Sequence, residues 1–177
     1  MSLPPEILLR TFGTEVGEIE LDGDIDAQLR MVCLCRPILR GIAPSVDELT
    51  PFLHARILHH LMLYREFIRP LLLDGRVFHH TPFQPLAAHT PWCVLEYADA
   101  RGTHAVSGIF RTTDSDVTVY RFLPRGLDRA RHYTVTLDNS GQTYQAEGHA
   151  LMQDGILIRL ERSLSSEMVL IRAEEDE

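Results

Sequence analysis

From Arg76 onward, apolar and polar residues alternate in short runs closed by turn residues, and a period of two marks half-buried strand. The clearest runs lie between Asp116 and Glu161: Val117 to Phe122, Tyr133 to Leu137, and Ile156 to Leu160. Between the first two, Leu123-Pro124-Arg125-Gly126-Leu127-Asp128 reads as a rigid corner. Pro124 fixes one φ there, and Gly126 is free to take a left-handed one or to approach neighbouring backbone closely. Asp138-Asn139-Ser140-Gly141 and Asp154-Gly155 read as hairpin turns. Eight strands are expected, at 76–80, 92–98, 104–112, 117–123, 132–138, 143–146, 156–161 and 167–172. Such a series points to a sandwich or a partly closed barrel. The fold class is therefore mainly β: an antiparallel β-sandwich of about eight strands, preceded by an α-helical segment with one short strand.

The first 75 residues follow another rule. Leu49, Leu53, Ile57, Leu61, Tyr64 and Ile68 recur at three and four, with Phe52 and Phe67 widening the stripe, which predicts an amphipathic helix over 51–69. Two starts compete, a capping box at Ser45-Val46-Asp47-Glu48 and a Thr50-Pro51 start with proline at the first helical position. Arg69-Pro70 weakens the far end, and Asp74-Gly75 marks a turn. Upstream, Ile7 to Gly17 reads as one strand and loop without an evident partner, and Leu29 to Cys35 as a helix that Pro37 would interrupt. The expected domains are 1–75 and 76–177. The first holds too few elements to cover its own apolar faces, so the helix is expected to lie against one side or end of the sandwich or on a missing part.

Charge narrows the function. With 25 acidic and 17 basic residues, a net charge of -8 and no basic stripe, the chain is poorly suited to a nucleic-acid backbone. No apolar run is long enough to span a bilayer. Cys33, Cys35 and Cys93 are spaced for neither a disulfide framework nor a zinc site, and a reduced, cytoplasmic setting is expected. His59-His60 and His79-His80 are adjacent pairs, whose members point apart on helix or strand; one of each pair is expected to be packed and the other wet. Glu15, Glu20, Asp47, Glu96, Asp99, Asp114, Asp116, Asp128, Asp138 and Glu147 contain no evident catalytic pair, with Glu96 read as facing out from a strand. There is no nucleophile elbow, phosphate loop or dinucleotide fingerprint. No catalytic residue, cofactor or metal ligand is assigned. Trp92, Tyr97 and Tyr120 stand as candidate ligand or interface residues beside the plainer reading of core packing. Arg65, Arg69 and Arg76 are read as salt-bridge residues where helix meets sheet.

Three stretches carry a family resemblance. Tyr120 to Asp128, Tyr133-Thr134-Val135 and Gly148 to Ile156 resemble the carboxy-terminal β-sandwich of bacterial α-galactosidases of the melibiase type, glycoside hydrolase family 36. Tyr64 to Leu71 and Gly75-Arg76-Val77-Phe78 resemble the last barrel helix of those enzymes and its exit into the sandwich, and Ile7 to Gly17 the final barrel strand. The resemblance implies a parent that hydrolyses α-linked galactose with two aspartates on earlier barrel strands, neither of which has a counterpart here. It implies a non-catalytic carboxy-terminal portion with a structural or interface role, partnered by the remainder of a barrel or by a second copy. The structural residues it singles out are Arg125, Gly126, Asp128, Tyr64, Arg69 and Pro70. The alternative, from a different class, is a carbohydrate-binding or protein-interaction sandwich.

Overall fold

The computed structural model describes residues 9–12, 24–39, 50–81 and 90–174. The chain divides into two compact units, Met1–Leu73 and Asp74–Glu177.

In the first unit, β1 (Leu9–Phe12) pairs in parallel with β2 (Arg36–Leu39). The early strand thus has a partner, and Pro37 sits inside it. Among the described residues this ladder has two strands, and a strand at a sheet edge tolerates proline's missing N–H. Between them runs α1 (Ile25–Cys33), capped by Asp24, whose carboxylate accepts from Asp26 N at 2.9 Å. The chain turns at Leu34, so the apolar stretch expected as helix to Cys35 divides into helix and strand.

The long helix α2 (Pro51–Leu63) starts at Thr50, whose hydroxyl accepts from Leu53 N at 3.2 Å, with Pro51 at the first helical position. The competing capping box lies outside the described residues. Leu53 and Ile57, both buried, pack with Leu29 and Val32 of α1, and Leu61 joins them from the edge. The predicted apolar face is therefore the packed one. Phe52, by contrast, is exposed.

The helix does not stop at Pro70. From Tyr64 to Ile68 it widens into a turn of π-helix, with Arg69 N donating to Tyr64 O, and continues as α3 (Arg69–Asp74). A proline removes one backbone donor and crowds the preceding turn. The wider turn accommodates this by shifting the register of the ladder. Arg69 and Pro70 are exposed and Tyr64 is half-buried.

A polar cluster pins α1 to α2. Asp26 Oδ1 accepts from Arg56 Nε at 2.6 Å and bonds His60 Nε2 at 2.9 Å. His60 is the buried member of its pair, as expected. Burial alone would raise the Asp26 pKa, but the hydrogen bonds from His60 and Arg56 and the Arg56 charge hold it well below the usual carboxylate range. Cys33 donates to His60 O at 3.7 Å. Burial, helped by Cys35, pushes its thiol up to about 12, which suits a core thiol and not a nucleophile.

Among the described residues, the second unit is a six-stranded antiparallel sheet in the order β3-β4-β5-β10-β7-β8, faced by a two-stranded ribbon, β6-β9. The strands are β3 (Arg76–His79), β4 (Trp92–Ala98), β5 (His104–Arg111), β6 (Val119–Phe122), β7 (His132–Leu137), β8 (Gln142–Glu147), β9 (Ile156–Arg159) and β10 (Ser165–Ala173). All eight expected strands are present. The sequence pattern did not reveal α4 (Gly148–Gln153), a short helix between β8 and β9. The core lies between sheet and ribbon: Trp92, Val94, Ile109, Val135, Val169 and Ile171 from the sheet meet Phe122, Ile156 and Ile158 from the ribbon. At the β7-β8 hairpin, Gly141 takes φ +67°, as its turn required.

Two outcomes follow for the first unit. Thr50→Ala should lower stability by about 0.5–2 kcal/mol, the usual cost of losing such a cap, read by thermal or urea unfolding. Because Asp26 has a folded pKa below its ordinary 3.8, its ionised form favours the fold above that value, and this contribution fades as pH falls below about 4. Asp26→Asn should therefore flatten the acid limb of the stability curve of the first unit, measured by unfolding between pH about 2 and 6.

Candidate functional site

Arg125, Gly126 and Asp128, three of the residues the resemblance singles out, lie in the corner after β6. Along β4, Trp92, Val94, Glu96 and Ala98 share the face turned to the core, since successive strand side chains alternate. Glu96 is thus a carboxylate in an apolar row. It is fully buried, not facing out as the sequence suggested.

Its two oxygens are well supplied with donors. Arg125 N donates to Oε2 at 2.9 Å and Oε1 at 3.1 Å, and Gly126 N to Oε1 at 2.7 Å. His80 Nε2 lies 2.6 Å from Oε2, and the His80 ring meets Phe122 edge-on at 5.0 Å. His80 is the packed member of its pair and His79 the exposed one. A carboxylate receiving backbone N–H groups in a low-dielectric interior makes bonds stronger than neutral ones. Glu96 therefore joins three segments: strand β4, the residue after β3, and the corner.

Arginine donors hold the outer side of the corner. Arg76 Nη2 donates to Gly126 O and to Asp99 O, each at 3.2 Å, and its guanidinium carbon lies 5.6 Å from the centre of the Phe78 ring. Arg76 thus bonds carbonyls, where a salt bridge was expected. Arg125 Nη1 reaches His79 O at 3.3 Å. At the far end, the buried Tyr133 hydroxyl accepts from Asp128 N at 2.7 Å and donates to Gly102 O at 2.5 Å. The Asp128 carboxylate caps its own turn through Ala130 N at 3.0 Å.

Gly126 neither has positive φ nor has backbone among its nearest neighbours, contrary to both branches of the sequence expectation. Its need for glycine is steric, and the close neighbours are side chains: a Cβ there would fall 2.1 Å from Ala98 Cβ and 3.0 Å from Glu96 Oε1.

The candidate ligand residues do not form one surface. Trp92 and Tyr97 are both buried and lie on opposite faces of β4. Tyr120, half-buried on β6, has its ring centre 5.4 Å from that of Trp92. The structure brings Arg125, Gly126 and Asp128 together at the corner, whereas Tyr64, Arg69 and Pro70 belong to the other unit. Sequence reasoning missed Glu96, His80 and Tyr133 as its supports. The available signal was a carboxylate in register with Trp92, Val94 and Ala98 on an otherwise apolar strand face.

A buried carboxylate thus anchors a loop against a β-sandwich. Residues 92–171 match the model of the Glycosyl hydrolase family 36 C-terminal domain. No curated protein matches the chain. Among solved structures, the α-galactosidase from Lactobacillus brevis superposes with a TM-score of 0.70 at 11% identity, over 94% of this chain and 22% of that one. The galactosidase domain of the α-galactosidase-sucrose kinase AgaSK gives 0.68 at 14%, over 93% and 21%. AgaB, a family 36 α-galactosidase from Geobacillus stearothermophilus, gives 0.68 at 16%, over 86% and 20%. At these identities the structural likeness is one of fold. The chain is similar to the carboxy-terminal region of a family 36 enzyme, and it spans only about a fifth of the length of the solved chains it matches.

Glu96→Gln keeps the shape but turns one acceptor into a donor facing N–H groups. It should cost about 1–3 kcal/mol or more, seen as a lowered unfolding midpoint. Gly126→Ala should destabilise by about 1–3 kcal/mol through overpacking, and Ala98→Gly in the same chain should recover part of the loss. An unchanged midpoint in Gly126→Ala would contradict the steric account.

Proposed function

We propose that this chain is the non-catalytic carboxy-terminal portion of an α-galactosidase-like glycoside hydrolase, with a structural and interface role. The observation that carries the reading is the extent of the likeness. Nearly the whole chain, 94% of it, superposes on a 22% share of an α-galactosidase, and the sandwich matches the family 36 C-terminal domain.

The first unit supports the same reading. A parallel pair of strands with helices beside it is a piece of α/β architecture, and parallel sheets occur almost entirely with more strands and both faces covered. On α2, Phe52, Leu58 and Met62 are exposed at spacings that place them on one side of the helix, opposite the packed face. The partner this favours is the remainder of a (β/α)8 barrel, of which residues 1–75 would be the closing strand, loop and helix. The sandwich, 76–177, would then support that barrel.

The chemistry agrees. Glu96, fully buried, has its oxygens taken up by Arg125, Gly126 and His80, and a carboxylate so engaged is a scaffold element, not a general acid. The free thiols Cys33 and Cys93 fit a reducing, cytoplasmic setting, and a role in carbohydrate metabolism would follow from the parent enzyme.

The test is hydrolysis of an aryl α-galactoside by the purified 177-residue chain. The reading predicts no turnover above the buffer blank. Turnover that co-purifies with the chain and is saturable in substrate would overturn it.

A further inference from the structure

At the end of the sandwich away from the corner, Trp92 and Arg111 are Cα partners across β4 and β5. Partners in a ladder direct their side chains to the same face, here the core face. Both are nearly inaccessible, at 5% and 2% exposure.

The Arg111 fork is partly satisfied. Nη1 donates to Glu161 O at 2.6 Å and Nη2 to Ser115 O. Its Nε, and the indole Nε1 of Trp92, are buried without a hydrogen-bond partner among the described residues. The carboxylate of Asp114, 4.0 Å from Nη2, is 95% exposed and gives the buried charge little relief. Native interiors rarely leave such donors unpaired, and an ordered water or ion commonly supplies the missing partner. Two orphans at one register position of one sheet face call for a common explanation.

We infer that Trp92 Nε1–H and Arg111 Nε–H bind an oxygen acceptor that does not belong to the chain. The donors fix its chemistry. Indole and guanidinium only donate, so the occupant presents lone pairs, and the guanidinium charge favours an electron-rich oxygen, that of a water or of a small carboxylate. With Trp92 buried and its ring packed beside Tyr120, the indole offers its N–H and not a flat face for a sugar. This inference stands apart from the proposed function and survives or fails without it.

Trp92 is the single tryptophan of the chain, so an isotope-labelled sample of the full chain has one indole N–H resonance. It should exchange slowly with solvent. A cross-peak from that proton to a long-lived water, in plain buffer, identifies water as the source. A saturable shift on titration with sodium acetate, absent with sodium chloride at equal ionic strength, identifies a carboxylate. Arg111→Met should shift the indole signal and abolish whichever response the parent shows. Should that variant not fold, Trp92→Phe is read through the Arg111 Nε–H signal, which should shift and exchange faster. An indole N–H that exchanges as fast as a free indole, with neither water contact nor acetate response, would overturn the inference. So would an indole signal unmoved by Arg111→Met, or an Arg111 Nε–H signal unmoved by Trp92→Phe.

Discussion

One carboxylate holds the second unit to its shape. Glu96 has no exposure to water, and burying an ion without partners would be prohibitive. The backbone N–H groups of Arg125 and Gly126 and the His80 ring supply those partners. The dependence runs both ways, since the corner's N–H groups would otherwise be orphaned in the interior. Other features adapt to this bond. Gly126 has room only for a hydrogen beside Ala98, Arg76 ties the outer carbonyl of the corner, and Tyr133 fixes its far end at Asp128. With the corner placed, Leu127 enters the core and β6 lies across the large sheet to pair with β9.

The first unit is organised differently. Its helices share a small apolar contact among Leu29, Val32, Leu53 and Ile57, reinforced by the Asp26-Arg56-His60 cluster. Among the described residues its strands β1 and β2 pair in parallel, and its long helix carries apolar residues on the side turned away from that contact. These properties favour the proposed reading, in which something else completes the burial of the segment. On the reading proposed above, the remainder of a barrel would supply further strands and helix neighbours.

What the sequence showed and what it hid follow from range. Strand positions were legible because alternation is local: Trp92 to Ala98 and Tyr133 to Leu137 carry their own period and their own turn residues. Helix α2 was legible for the same reason, and Thr50-Pro51 marked its start. Pro70 misled because the rule against interior proline assumes an uninterrupted α-ladder, and the π turn before it changes that ladder. Short α4 lacks room for a helical period to declare itself. Glu96 was misread because its partners lie 16, 29 and 30 positions away, so nothing adjacent marked it as buried. The corner was recognised as structural before its mechanism was known, and glycine there was justified by φ or a close backbone approach when the real constraint is the Ala98 side chain. The aromatic candidates failed to form one surface because register places Trp92 and Tyr97 on opposite faces.

The central claim is that the sandwich is a self-sufficient support while the first unit is a piece of a larger barrel. Native-state hydrogen exchange on the intact chain tests it directly, because protection reports the free energy of local opening. The account predicts that amides of β4, β5, β7 and β10, together with Gly126, exchange only through global unfolding of their unit. Those of α1 and α2 should exchange through openings of much lower energy. Protection in α1 and α2 equal to that of the central sheet would contradict it.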